Sequence, residues 1–169
     1  MRKVKDLRKW IAYYDEADRL TEEVALALEY FKEGITSEEE VDEAYARAIT
    51  LFEEVELKNM LRAEEDNLGA VLKINAGAGG TESQDWASML ARMYARWCDK
   101  QGYKTTITNW QDGDEAGIKT MTMQVEGDQA YGFLKSETGV HRLVRISPYN
   151  AQGKRMTSFA SVFVVPLVD

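Results

Sequence analysis

Ala70-Val71-Leu72-Lys73-Ile74-Asn75-Ala76-Gly77-Ala78-Gly79-Gly80-Thr81-Glu82-Ser83-Gln84-Asp85-Trp86 is the stretch that decides the fold. Ala70, Leu72 and Ile74 alternate with Val71 and Lys73, the two-residue period of a half-buried strand. After the glycine run the period changes. Trp86, Leu90, Met93 and Trp97 recur at intervals of four, three and four, which predicts a helix face. A strand that turns through glycines into a helix opens a mixed α/β domain. The first amides of that helix have no partner within it, so the turn is read either as structural or as a surface for an anion or a base-edge acceptor. The Lys-Ser/Thr ending of a P-loop and the glycine spacing of a dinucleotide fingerprint are both missing. Glu82 and Asp85 would also repel a phosphate unless something neutralises them.

Forward of this stretch, residues 103–109 alternate as a strand and 111–114 form a turn. Residues 118–125 place Met121, Met123 and Val125 on one face, and Gly127-Asp128 is a break. Residues 130–134 are read as a short helix. Residues 159–165, rich in Phe and Val, are read as a core strand that Pro166 ends or marks as an edge. The fold class is therefore α+β, with a mainly antiparallel sheet whose strand order is not legible.

Within residues 135–166 a turn begins at Ser147-Pro148-Tyr149 and the sequence after Gly153 returns into a β-rich apolar run, so the stretch reads as a polar loop held between two packed anchors. From Lys135 to Arg155 there are five Lys or Arg, one His and a single acid, Glu137, within a protein of formal charge -8. A local cationic excess in an acidic chain points to a phosphate-rich partner. Arg142, Arg145, Lys154 and Arg155 are the candidate contacts. Either of the two arginines, 142 or 145, could instead pair with Glu137 and hold the loop. His141, the only histidine, lacks the partners of a triad or metal site. It is read as a hydrogen-bonding organiser in preference to a general base. Ser147, Asn150, Gln152, Thr157 and Ser158 supply small donors and acceptors, and Tyr149 a stacking face. Single-stranded RNA bases are read by that mixture, although a hydrophilic turn has the same composition.

Backward of the deciding stretch lies an acidic helical hairpin. Val4, Leu7, Ile11, Tyr14, Val24, Leu28 and Phe31 trace one amphipathic helix, with a rhythm that drifts near Leu20-Thr21 and an expected cap at Gly34. A second helix is expected to start at Thr36 or Ser37, with Glu39 or Glu40 completing a capping box. Val41, Tyr45, Ile49, Phe52, Val55 and Met60 form its stripe. Its acidic face is a solvated surface or, as the alternative, a docking face for a protein. Residues 1–66 carry 19 acidic and 10 basic side chains, a net of -9, whereas residues 67–169 carry 10 and 11, a net of +1. This asymmetry divides the chain into segments 1–66 and 67–169. The lone Cys98 excludes an internal disulfide and is read as a buried ordinary thiol. Neither a membrane-length apolar run nor a secretion signal is visible, so the expected location is cytoplasmic. No cofactor or metal is expected.

Several stretches together resemble the bacterial class I peptide chain release factors. They are Asn75-Ala-Gly-Ala-Gly-Gly-Thr-Glu-Ser-Gln-Asp-Trp-Ala-Ser-Met-Leu90, Gly117-Ile-Lys119, Tyr131-Gly-Phe-Leu-Lys135, Glu137-Thr-Gly-Val-His-Arg-Leu-Val-Arg145 and Thr157-Ser-Phe-Ala-Ser-Val-Phe163. The match is dense over 67–169 and looser over the helices. The resemblance is strongest to the branch that reads UAA and UGA. It implies binding in the ribosomal A site, contact with ribosomal RNA and the stop codon of the mRNA, and a class II release factor as a partner of the helical segment. It further implies that Gly79, Gly80, Thr81 and Glu82 face the first uridine, that Ser147-Pro148-Tyr149 is the codon-reading tripeptide, and that Thr157 reads the third base. On this reading the helices are the later part of the family's first domain, and 67–169 is an incomplete stop-codon recognition domain.

Two positions depart from the family pattern. Tyr149 stands for Phe, and Met156 for a histidine that stacks on the codon. The family's catalytic Gly-Gly-Gln is also absent, since Gly79-Gly80 is followed by Thr81. The chain alone is thus expected to decode without catalysing release, as a fragment of a longer factor. Two alternatives stand beside this: a naturally short RNA- or ribosome-binding regulator, and a scaffold that uses only its acidic helices.

Overall fold

The computed structural model describes residues 2–168, with side chains from residue 4 onward. Met1 and Asp169, the outer ends of the two expected segments, lie outside the described residues. The chain divides into two compact units, one ending at Met60 and the other beginning at Leu61.

The first unit is a helical hairpin of α1 (Arg2–Lys32) and α2 (Glu38–Met60). α1 runs unbroken through Leu20-Thr21, where the apolar rhythm drifts. Leu20 is buried, and the Thr21 hydroxyl donates to the Ala17 carbonyl at 2.8 Å, which keeps it satisfied inside the helix. Gly34 takes φ 76° at the end of α1. The Glu40 amide donates to Ser37 Oγ at 3.3 Å, which makes Ser37 the cap of α2. The seam differs from the predicted stripes. Among the described residues of the hairpin Leu20, Ala44 and Ala48 are buried, while Leu7, Ile11, Tyr14, Tyr45 and Phe52 are exposed. Small alanines let the helix axes approach, and the bulky stripe is left outside the seam. Arg47 bonds Glu23 at 2.7 Å, and Lys58 bonds the Tyr13 hydroxyl, across the hairpin.

The second unit is a five-stranded antiparallel sheet with helices on one face. Its strands are β1 (Gly69–Ala76), β2 (Lys104–Asp112), β3 (Ile118–Glu126), β4 (Gly139–Ile146) and β5 (Arg155–Leu167), in the order β2-β3-β1-β5-β4. β1 is central, with Leu72 opposite Met123 on one side and Val164 on the other. Because β1 and β2 are each antiparallel to β3, they are parallel to one another. The connection between them is α3 (Thr81–Gln101), which crosses over one strand. α4 (Ala130–Leu134) closes the end of the core.

The buried face of α3 is Ala87, Leu90, Ala91, Tyr94 and Cys98, packed on Leu72, Ile74, Met121, Met123, Val162 and Val164. Relative to the predicted face the helix is rotated. Trp86 and Trp97 sit at the margin, and Met93 is 48% exposed. Cys98 is fully buried, and desolvation pushes its thiol pKa up to about 11, as expected for an inert packing thiol.

The polar loop between the two anchors is shorter than expected, because a strand before Ser147 was not foreseen. Gly139–Ile146 is an edge strand paired with β5, and only residues 147–154 form the loop. β5 is longer than predicted, and Pro166 lies within it, opposite Ala70.

Candidate functional site

The glycine turn is fixed by a close approach. The Gly77 amide donates to the Phe159 carbonyl at 2.9 Å, and a Cβ on Gly77 would lie 2.5 Å from that oxygen. Gly79 and Gly80 take φ 135° and 61°, conformations that disfavour side chains. Ser83 Oγ lies 2.8 Å from the Gly77 carbonyl and 2.9 Å from that of Gly80, donating to one at a time. The start of α3 is locked to the β2–β3 turn. Gln84 Nε2 donates to Asp114 Oδ2, while the Asp114 amide donates to Gln84 Oε1, both at 3.0 Å. Thr81 Oγ1 reaches Glu115 at 3.3 Å. Gly79 and Gly80 are exposed beside this lock, while Glu82 is buried.

Arg145, at the end of β4, comes down onto the first turn of α3. Its Nε donates to Glu82 Oε1 at 2.7 Å, and its Nη2 to Glu82 Oε2 at 3.2 Å and Asp85 Oδ2 at 2.6 Å. This is the cation that pairs with both carboxylates. Glu82 and Asp85 are three residues apart, so one guanidinium spans both on the same helix face. The buried Ser147 Oγ donates to Glu82 Oε2 at 2.5 Å and accepts from the Tyr149 amide at 3.1 Å. The expected alternative pairing with Glu137 is corrected for Arg145, because Glu137 instead accepts from the Tyr94 hydroxyl at 2.6 Å.

The arginine bonds hold the Glu82 carboxyl below the usual carboxylate range, against desolvation, with the Ser147 bond adding to the effect. A depressed folded pKa contributes stability that is complete above the unfolded value, about 4.3, and is lost as pH falls through the folded value. We therefore expect the stability gap between the native chain and Glu82→Gln, measured by urea unfolding, to be constant from neutral pH down to about 5. Below about pH 4 it should shrink, no faster than about 1.4 kcal/mol per pH unit. A gap that stays constant to pH 2 would show that the charge on Glu82 contributes nothing.

Residues 147–154 form the loop. The Asn150 amide donates to the Ser147 carbonyl at 3.3 Å, the Gly153 amide to the Asn150 carbonyl at 3.0 Å, and the Gln152 amide to Asn150 Oδ1 at 2.9 Å. Pro148 is exposed and the Tyr149 ring is 46% exposed. Met156 is 38% exposed at the start of β5, and its sulfur accepts from Asn150 Nδ2 at 3.4 Å. Lys154, Arg155, Arg142 and Thr157 are exposed.

Register separates some of these residues. Arg145 pairs with Met156, on the same side of the sheet as buried Ser158 and α3. Arg142 and Thr157, opposite Phe159 and Val144, belong to the other face. His141 Nε2 lies 2.8 Å from the Glu137 carbonyl, and the His141 carbonyl accepts from Trp86 Nε1 at 3.0 Å. Gln84, Asp114 and the positive role of Asp85 were not anticipated. Only the spacing of Glu82 and Asp85 hinted at a shared cation.

A family model described as the PCRF domain matches residues 1–162. The chain belongs to the PCRF domain family. Among curated PCRF-domain relatives, "Peptide chain release factor 2" of Listeria innocua serovar 6a is 48% identical over 159 residues, covering 94% of this chain and 43% of that protein. The protein of the same name from Helicobacter pylori strain P12 is 47% identical over 168 residues, or 99% of this chain and 43% of its own length. Among solved structures, "RF2 of Thermus thermophilus" superposes with a TM-score of 0.73 at 38% identity, covering 99% of this chain and 48% of that one. The chain thus spans less than half the length of these PCRF-domain relatives.

Proposed function

We propose that this PCRF-domain chain is the stop-codon-reading part of a release factor of the UAA/UGA-reading type, acting in the ribosomal A site of the cytoplasm. The observation that carries the reading is the Arg145–Glu82–Ser147 network. It ties the tripeptide Ser147-Pro148-Tyr149 to the glycine-led start of α3, so the two segments expected to read the codon are parts of one polar cluster. In this reading Gly79, Gly80, Thr81 and Glu82 face the first uridine and Ser147 lies at the second base. Met156 covers a base face by shape, and Thr157 reads the third base. Arg142, Lys154 and Arg155 supply phosphate contacts, whereas Arg145 is an internal organiser. Residues 1–66 and 67–169 correspond to the later part of a first domain and an incomplete recognition domain. A class II release factor is the protein partner we place at the acidic helices, where Leu7, Ile11 and Tyr14 are exposed.

The test is equilibrium binding of the 169-residue chain to ribosomes programmed with UAA, UGA, UAG or a sense codon. UAA and UGA should bind in preference to the other two, and equal binding to all four would overturn the reading. Arg142→Ala should weaken binding to every codon alike and lower the salt slope by about one. An unchanged slope would remove Arg142 from the phosphate contacts. The chain should give no peptide release even when bound. Ester hydrolysis needs groups held at the reacting carbonyl, an advantage of about 7–11 kcal/mol, and a codon-reading surface does not supply them. Stop-dependent release by this chain alone would refute the division between reading and catalysis.

A further inference from the structure

Asn150 is the hub of the 147–154 loop. Its amide donates to the Ser147 carbonyl, its own carbonyl accepts from the Gly153 amide, and its Oδ1 accepts from the Gln152 amide. The remaining polar group of Asn150, Nδ2, reaches out of the loop and donates to Met156 Sδ at 3.4 Å, at the start of β5. The loop is thus tied to its unit through Ser147 and Glu82 on one side and through Asn150 and Met156 on the other. The second tie ends on a thioether, which is a weak acceptor.

The other methionines differ. Met121 and Met123 are buried in the core. Met89 accepts from Arg145 Nη1 at 3.5 Å but is half-buried. Met60 and Met93 are exposed, and among the described residues no donor reaches either sulfur. Met156 combines an exposed side chain with a hydrogen bond from the residue that organises a whole loop.

Oxidation changes both properties of this side chain at once. With a hydroperoxide as oxidant, a sulfur lone pair attacks one peroxide oxygen, and the S–O bond forms as the O–O bond breaks. With hydrogen peroxide the leaving hydroxide takes the proton of the transferred oxygen and departs as water. Sulfur loses two electrons and the peroxide gains them. The product is a polar sulfoxide in place of a flexible apolar side chain. Its oxygen is a stronger acceptor for Asn150 Nδ2, and it no longer offers an apolar surface.

We propose that Met156 is a modification site. Its oxidation to the sulfoxide by a hydroperoxide tightens the Asn150 tie and removes the apolar cover, so the oxidised chain holds its loop more firmly and binds stop codons less well. The loss of binding rests on the codon-reading function, whereas the change in the loop does not. Reversal takes two reductases, because the oxidised sulfur is chiral and each epimer has its own enzyme.

The first test treats the 169-residue chain with hydrogen peroxide and locates the added oxygens by peptide mass spectrometry. Met156 should be converted along with Met60 and Met93, while Met121 and Met123 stay reduced. Conversion of Met60 and Met93 with Met156 untouched overturns the site. Residue-resolved hydrogen exchange of the oxidised chain should slow about fivefold at the Gln152 and Gly153 amides, the equivalent of one ordinary hydrogen bond. Exchange within β1 and β3 should be unchanged, and the two reductases together should restore the original rates. The double variant Met60→Leu, Met93→Leu should respond as the native chain does. Met156→Leu, compared with its own untreated state, should not respond. Unaltered loop exchange in the oxidised native chain, or an equal response in Met156→Leu, overturns the proposal.

The second test is affinity for UAA- and UGA-programmed ribosomes. It should fall about tenfold on oxidation, equally for both codons, since a polar group then lies against a base in place of an apolar one. Undiminished affinity with Met156 fully oxidised overturns the effect on binding. If the exchange response appears and reverses while the native chain binds stop and sense codons alike, the modification site stands and the codon-reading function falls.

Discussion

Replacing Glu82 with alanine is expected to destabilise the sheet unit by about 2–3 kcal/mol, lowering its melting temperature by about 10–15 °C. The carboxylate is 6% exposed and accepts three bonds, two from Arg145 and one from Ser147. Alanine would leave the Ser147 hydroxyl, itself 4% exposed, without its acceptor, and Arg145 with Asp85 as its one charged partner. Removing one partner of a fully buried pair costs about 3–5 kcal/mol. The estimate here is lower because the Arg145 side chain is 24% exposed and can recover some hydration. Glu82→Gln keeps the shape and one acceptor oxygen, so its loss at neutral pH should be about half as large. Thermal unfolding followed by circular dichroism decides the matter. An alanine variant within about 0.5 kcal/mol of the native chain would place this network among ordinary surface ion pairs.

Gly117→Ala should cost at least about 3 kcal/mol, for a different reason. Gly117 takes φ 70°, and an added Cβ would lie 2.1 Å from the Gln84 carbonyl oxygen, 2.2 Å from its carbon and 2.4 Å from the Asp85 amide nitrogen. All three atoms are backbone of the first turns of α3, so no side chain can rotate away. Either the β2–β3 turn must retreat, breaking the Gln84–Asp114 lock, or the helix start must move and carry Glu82 and Asp85 off Arg145. Gly34 is the control. It has nearly the same conformation, φ 76°, but an added Cβ would meet nothing within 4 Å. Gly34→Ala should therefore cost only the conformational penalty, about 1 kcal/mol. Equal losses at the two positions, measured by urea unfolding, would show that backbone conformation rather than collision sets the cost.

Local chemistry carried much of the fold in the sequence. The Ala70-Leu72-Ile74 alternation, the glycine turn and the Ser37 cap are each decided by neighbours a few residues away, and each is found in the structure. β4 was missed because its pattern is inverted. Its open face bears Val140 and Ile146, both exposed, while His141 and Arg145 lie on the face toward α3. The buried face of α3 was misplaced because large apolar residues were given more weight than small ones, although Ala87 and Ala91 allow the close approach to the sheet. The candidate site was only half legible. Ser147 and Glu82 could be named from the sequence, but their direct bond spans 65 residues, and no periodicity reports such a contact.

The central place of β1 also bears on how the molecule is made. One neighbour, β3, begins at Ile118, and the other, β5, pairs it from Gly69↔Leu167 to Ala76↔Ala160. During synthesis β1 and α3 emerge first, with Leu72 and Ile74 uncovered and both strand edges unpaired. The β5 edge of β1 remains open until residues 160–167 have been made. Pairing at such sequence separation is slow, and an uncovered apolar strand is prone to join another chain. The helical hairpin, whose partners are close in sequence, can form long before the sheet closes. A nascent chain stalled ahead of β5 would therefore hold a finished hairpin beside an aggregation-prone half sheet.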